Sequence, residues 1–288
     1  MSKILYNNNK WLNVWNDPKY NNIRDKILES FKDLKFFEDE HRYFIGDKEL
    51  KSVSVVTHLF KPEFDVKAKT KEMYNKYYNV EGHKYYHMLP EEIEKQWKNK
   101  AKEACDIGTE RHEFGESCFY YMTGQYDKIL PNFKNRLTID GGFEALYPKE
   151  EAIVRLWENI PKSVIPILAE TKVYDEKLGY AGTFDILFYY DNKINPEKSG
   201  LYILDYKTNE DLTKNFGDTL LYPFNEMLNN SLNIYKLQLS LYENCLNNIG
   251  LKTVARRLIW LKPDGNYEKI NLESYSNTLK NILSKNLL

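Results

Sequence analysis

Asp185, Asp205 and Lys207 stand on two apolar stretches joined by a polar one. From Gly179 to Thr208 the chain reads GYAGTFDILFYYDNKINPEKSGLYILDYKT, and its middle, DNKINPEKSG, is rich in residues that break strands and favour turns. With a period of two, Ala181, Thr183, Asp185, Leu187 and Tyr189 share one face of a first strand. Leu201, Ile203, Asp205 and Lys207 share one face of a second. A hairpin symmetric about Asn195 sets Asp185 opposite Asp205, Leu187 opposite Ile203 and Tyr189 opposite Leu201. Two carboxylates and an ammonium then converge on an otherwise apolar face. Charges in such a place are costly unless paired or bound to a metal. Facing carboxylates repel, and one takes up a proton unless a cation lies between them. A divalent hard cation with oxygen ligands fits the pattern. An Asp–Lys salt bridge at a sheet end fits the hairpin taken alone.

Other elements must bring partners to this hairpin. Pro90 opens a long helix whose small and apolar stripe runs through Trp97, Ala101, Cys105, Gly108, His112, Gly115 and Phe119. His112 lies on that stripe and Glu116 one turn on, so His112 reads either as a ligand or as a core histidine bonded to a carbonyl. Gly108 and Gly115 cost helix stability, which points to close approach by another part of the chain. The stretch IPILAETKVYDEKLGY reads as a strand that carries Glu170 into the Asp185 strand. SLNIYKLQLSLYENCLNNIG reads as a helix ending at Gly250, with Gln238 and Tyr242 on one face.

The remaining segments are less specific. Residues 1 to about 30 form an irregular or helical lead-in. Phe36–Val56 reads as a hairpin turning at Gly46-Asp47, and Val56–Tyr78 as helix interrupted by Pro62. Lys61, Lys67, Lys69 and Lys71 make that helix locally basic, either a solvated face or a surface that tracks phosphates. Phe143–Trp157 is expected to be partly helical after a break at Gly141-Gly142. The stretch from Thr208 to Asn230 reads as a loop or lid anchored by Phe216, Tyr222 and Phe224. A hairpin through Pro-Asp-Gly and a last helix complete the chain.

Composition narrows the classes. The 288 residues, 42% hydrophobic and 29% charged, suffice for one large α/β domain, with residues 1–50 a lead-in and hairpin packed on a domain of residues 51–288. The formal net charge of -1 leaves any nucleic-acid contact to local basic patches. Cys105, Cys118 and Cys245 have no metal-binding spacing and are expected to be reduced core thiols, with no disulfide framework and no iron–sulfur cluster. There is no Gly-rich phosphate loop, no Ser nucleophile elbow and no zinc spacing. No apolar run is long enough to span a bilayer, and the N-terminus is too polar for a secretory signal, so a cytoplasmic protein without membrane partners is expected.

The motifs come in an ordered series: Gly108-Thr109-x-x-His112, Glu170, Gly182-Thr183-Phe184-Asp185, Asp205-Tyr206-Lys207-Thr208 and Gln238-x-x-x-Tyr242. This series resembles the RecB-like exonuclease branch of the PD-(D/E)xK nuclease superfamily. The resemblance spans about Ser52 to Trp260. It implies an α/β, restriction-endonuclease-like fold, with a central mixed β-sheet flanked by helices in an αβα sandwich. It implies that Asp185, Asp205 and Lys207 are catalytic. It further implies that Asp185, Asp205, His112 and the backbone carbonyl of Tyr206 hold Mg²⁺ or Mn²⁺. Glu116 and Glu170 are candidates for a second metal or an outer shell, and Gln238 and Tyr242 brace the site or bind the substrate backbone.

The implied activity is that of a stand-alone phage-type, metal-dependent DNA exonuclease, a hydrolase acting in replication, recombination or repair, in the host cytoplasm if viral. The implied partner is DNA, single-stranded or with free ends. A structure- or sequence-selective endonuclease is the alternative enzyme. A catalytically silent DNA-binding protein with a nuclease fold is the alternative outside enzymes. On this reading the Asn209–Asn230 loop, the Lys61–Lys71 segment and the His112 helix border the metal site.

Overall fold

A computed structural model describes residues 3–38, 40–215 and 217–285. Phe216, one of the expected loop anchors, lies outside the described residues. The strands among the described residues are β1 (Lys3–Tyr6), β2 (Leu34–Phe37), β3 (Arg42–Ile45), β4 (Lys48–Ser52), β5 (Gly142–Ala145), β6 (Val164–Asp175), β7 (Tyr180–Tyr190), β8 (Gly200–Lys207), β9 (Thr253–Leu261) and β10 (Tyr267–Asn271). The helices are α1 (Leu12–Trp15), α2 (Pro18–Ser30), α3 (Val53–His58), α4 (Val66–Tyr77), α5 (Pro90–Met122), α6 (Pro148–Asn159), α7 (Ser231–Asn248) and α8 (Ser276–Leu283).

The chain divides into a larger unit, Met1–Lys61 with Arg111–Leu288, and a smaller one, Pro62–Glu110. Every residue of the expected site from His112 onward belongs to the larger unit. The smaller unit holds α4, with Lys67, Lys69 and Lys71, and the first turns of α5. Its buried residues Tyr85 and Ile93 are joined by Trp97, whose indole N–H donates to the Tyr85 hydroxyl at 2.7 Å.

The larger unit is built on a mixed sheet in the order β10-β9-β8-β7-β4-β3-β2, with β6 paired to the other edge of β7. β6 and β8 each run antiparallel to β7, whereas β9 is parallel to β8 and β4 parallel to β7. Helices cover both faces, giving an αβα sandwich. One core layer joins Ile27 of α2, Val56 of α3, Leu241 of α7 and Leu279 of α8 to Leu187 and Ile203. The other joins Phe114 of α5 and Trp157 of α6 to Ile186, Phe188 and Leu204. The N-terminal segment contributes as well, since β1 pairs with β5 and both Leu5 and Trp11 are buried in the second layer.

The hairpin register agrees with symmetry about Asn195: Leu187 faces Ile203 and Tyr189 faces Leu201. The shared face does not extend along the whole of β7. Ala181 packs with Tyr43 and Leu50, and the Thr183 hydroxyl meets that of Tyr43 at 3.3 Å, while Leu187 packs in the first layer. The inside–outside alternation slips at Asp185, because Phe184 belongs to the first layer and Ile186 to the second. On β6 the residue facing Asp185 in the running register is Glu170, which has φ +42°. A left-handed residue turns the strand over, so Ala169 faces the second layer and Val173 the first.

The stripe on α5 also needs correction. Ala101 and Cys105 are exposed, and the buried face is formed by Phe114, Cys118, Phe119 and Met122. The helix passes from the smaller unit to the larger between Glu110 and Arg111, and only its later turns lie on the sheet's core layer. Cys105 is therefore not a core thiol, whereas Cys118 and Cys245 are.

Candidate active site

The site sits where the sheet forks. β8 pairs with β7 only as far as Ile186–Leu204, and the same edge of β7 is taken up again by β4 at Tyr180–Ala181. Between these two partners β7 leaves a gap, and Asp185 stands in it. The Asp185 Oδ2 atom accepts the backbone N–H of Tyr206 at 2.6 Å, so the carboxylate completes the ladder where the strands part. In an extended strand the N–H and C=O of one residue point to the same edge. The Tyr206 carbonyl is thus directed to the Asp185 side, while β9 pairs along the other edge of β8.

Three carboxylates from three adjacent strands meet here. Glu170 of β6 and Asp205 of β8 flank Asp185 of β7, and His112 reaches in from α5 with Nδ1 at 3.1 Å from Asp185 Oδ2. Ligand atoms of His112, Glu170 and Asp185 all lie within 4.8 Å of one another. Asp205 is engaged with Lys207, whose Nζ is 2.6 Å from its Oδ2. The contact is an ion pair outside hydrogen-bonding alignment, and Asp205 Oδ2 is buried without a hydrogen bond.

Electrostatics follow from this crowding. Burial and then the Asp185, Glu116 and Asp205 charges hold Glu170 well above the ordinary carboxylate range. Burial and then Asp185 raise Asp205 to about 6, against the opposing pull of Lys207 and His112. For Asp185 burial also acts upward, but His112, Lys207 and the Tyr206 N–H outweigh it and keep the group ionised below its usual range. Burial works against charge on His112, and the adjacent Asp185 carboxylate overcomes it and raises the imidazole. Burial likewise works against charge on Lys207, and Asp205 with Asp185 reverses it, so the ammonium is retained.

Glu116 lies one turn beyond His112, accepts the Tyr120 hydroxyl at 2.9 Å, and is raised chiefly by burial. Gln238 and Tyr242 stand together on α7, the amide N–H of Gln238 donating to the Tyr242 hydroxyl at 3.2 Å. Tyr242 is buried beneath β7, where a Cβ on Gly182 would come within 2.8 Å of its ring. Gly115 has the same kind of role on the other layer, since a Cβ there would meet the Tyr206 ring at 2.5 Å. That contact accounts for a glycine within a helix whose neighbours could all be larger.

Sequence reasoning missed Tyr235. Its ring carries the Lys207 ammonium at 4.4 Å from the centroid, and its hydroxyl donates to Asn209 Oδ1 at 3.0 Å. The indole N–H of Trp260 holds the Asn209 carbonyl at 2.8 Å. Tyr235 stands three residues before Gln238 on α7, so helical spacing from Gln238 was the signal that could have found it. The Asn209–Asn230 segment is not a loose lid along its length, because Leu212, Leu220 and Phe224 are buried in the first core layer. Tyr222 is exposed, at 74%.

The donor set can be tested against a divalent cation. Carboxylate oxygens, a carbonyl directed inward and one imidazole suit Mg²⁺ or, with the softer nitrogen ligand, Mn²⁺. Glu170, raised by burial and by the neighbouring carboxylates, bears the mark of an acidic group crowded by like charge, whereas Asp205 is balanced by Lys207. The residues fit such an ion.

No family model matches this sequence, and no curated protein matches it. Among the described residues, no helix is long and apolar enough to cross a membrane.

Proposed function

We propose that this protein is a metal-dependent DNA exonuclease of the PD-(D/E)xK, RecB-like kind, cutting phosphodiester bonds from strand ends. The observation that carries the reading is the meeting of ligand atoms of His112, Glu170 and Asp185 within 4.8 Å. Beside them stands the Asp205–Lys207 ion pair, which lies outside that cluster but interacts with it electrostatically. Asp185, Asp205, His112 and the Tyr206 carbonyl would hold Mg²⁺ or Mn²⁺, with Glu170 and Glu116 further out or on a second ion. Such an ion supplies Lewis acidity, activating water and stabilising charge on phosphorus.

The chain's own groups do the rest. Lys207 stays protonated, so it acts as a fixed charge and hydrogen-bond donor beside the attacking water and the phosphoryl oxygen, not as a base. Tyr235 holds that ammonium from below. The Tyr206 N–H fixes the orientation of Asp185, and Tyr242 with Gln238 braces β7 from the opposite layer. A new P–O bond forms to the water oxygen and the bridging P–O bond breaks. The attacking water gives its proton to solvent and the leaving alkoxide takes one from solvent, so that the net change adds one water across the bond.

Preference for ends rests on the exposed Tyr222 on an otherwise anchored loop, which suits stacking with bases of a single strand. The test compares linear and covalently closed circular single-stranded DNA in Mg²⁺ or Mn²⁺. Progressive loss of the linear strand with survival of the circle is expected. Rapid cutting of the circle would replace the exonuclease by an endonuclease.

A further inference from the structure

Along the outer edge of β6, the edge that pairs with no strand among the described residues, a cavity of about 580 Å³ opens beside Glu170. Trp15, Arg24, Tyr120, Lys128 and Lys172 line it together with Glu170. It therefore shares one carboxylate with the cluster at the fork.

Arg24 is the unusual member. It is only 8% exposed, its guanidinium stacks on the Trp15 ring at 3.8 Å, and its Nη2 donates to the Trp15 carbonyl and to Asn21 Oδ1. Its Nη1 is buried with no hydrogen-bond partner among the described residues. An unpaired buried donor on a cation is costly, and an acceptor on a bound anion would satisfy it. Lys32 is held by Glu29, and Lys128 and Lys172 add to Arg24 against Asp25 and Glu170, so the lining favours a negative guest. Trp15, Phe119 and Tyr120 give it aromatic walls. The volume lies in the range of small-ligand sites and suits one nucleotide rather than a duplex.

We propose that this cavity is a nucleotide subsite that takes one nucleoside monophosphate unit, its phosphate toward Arg24 and Lys172 and its base among the aromatic walls. The proposal rests on the nuclease reading, and places in the cavity the unit next to the phosphodiester that is cut. The same chemistry is offered by a 5′-phosphorylated strand end and by a free mononucleotide product.

The experiment is calorimetric titration of the full chain in excess chelator with deoxyadenosine 5′-monophosphate, with deoxyadenosine, and with short single strands bearing a 5′-phosphate or a 5′-hydroxyl. The monophosphate is expected to bind, and to weaken by at least about tenfold in Arg24→Gln and in the double variant Lys128→Gln with Lys172→Gln. Deoxyadenosine is expected to bind more weakly than the monophosphate. If Arg24→Gln does not fold, the double variant on the cavity wall decides. Tighter binding of the phosphorylated strand, with the same sensitivity to the variants, assigns the cavity to a strand end, and binding of the mononucleotide alone assigns it to product. Absence of binding, or equal binding by wild type and the double variant, overturns the subsite. DNA cleavage with unchanged KM in that variant would overturn it as well while leaving the nuclease reading intact. Nucleotide binding without cleavage in any divalent ion would remove the nuclease reading instead.

Discussion

The carboxylate of Asp185 takes the backbone N–H of Tyr206 at 2.6 Å, a bond between β7 and β8 made at the point where their ladder ends. One oxygen of Asp185 thus holds the strands together while they diverge. His112 enters the gap beyond it from α5, and the crowding of acidic groups there, together with burial, holds Glu170 well above the ordinary carboxylate range. The Tyr206 carbonyl leaves the strand on the same edge as the N–H that makes this bond.

His112 separates a ligand from a core histidine. His112→Ala is expected to raise the metal concentration needed for half-maximal activity by about 10–100-fold. Its melting temperature in chelator should stay close to wild type, since the imidazole is partly exposed. A lower melting temperature with an unchanged metal requirement would make His112 structural.

Lys207 and Tyr235 act at the chemical step. Lys207→Ala should lower kcat by about 10²–10³-fold with DNA affinity little changed. Tyr235→Leu removes the ring under the ammonium, and a smaller loss of about 3–30-fold in kcat is expected. Loss of affinity with unchanged kcat would reassign Lys207 as a phosphate contact.

Gly115 tests the packing behind the site. Gly115→Ala places a methyl group 2.5 Å from the buried Tyr206 ring, and overpacking of this kind costs about 1–3 kcal/mol. The gain in helix propensity from Gly to Ala, about 1 kcal/mol, offsets only part. A lower melting temperature together with reduced activity is expected, read by thermal denaturation and cleavage rate.

Asp191 governs an acid-sensitive tie between α2 and the end of β7. Burial acts upward on this carboxylate, but hydrogen bonds from Lys19, Lys193 and Tyr20 prevail and lower it from 3.8 to about 2. A depressed folded-state value means that its stabilisation is complete above 3.8 and is lost as the pH falls through about 2. Its side chain is 7% exposed, and the shift corresponds to about 2 kcal/mol. Urea denaturation should show wild type losing about that much more stability than Asp191→Asn between about pH 5 and about pH 2. Equal losses would mean that the tie contributes nothing.

Much of this arrangement is legible in the chain. The hairpin register follows from turn residues around Asn195 and apolar alternation on both sides, because a slip by one residue would expose Leu187 and Ile203. The fork is not legible. Glu170 adopts a left-handed conformation that costs about 1–3 kcal/mol and that no propensity assigns to glutamate, and it turns both strands over at Asp185. The short strand β1 lacks the length for a period to emerge, and its partner β5 is more than a hundred residues away. The stripe on α5 misleads for another reason. Its spacing is helical throughout, but the sheet packs against only the last third of the helix, and spacing alone carries no information on where the partner begins.

The most direct test is hydrolysis of an end-labelled single-stranded oligonucleotide by the wild-type chain, Asp185→Asn and Asp205→Asn, in Mg²⁺, in Mn²⁺ and in excess chelator. Both substitutions keep the shape of the side chain and remove the charge that would hold the ion. The account predicts cutting by wild type in the divalent ions, none in chelator, and a loss of at least about 10³-fold in either variant. Cutting that persists in chelator or in Asp185→Asn, or a wild-type chain that cuts in neither ion, would contradict it.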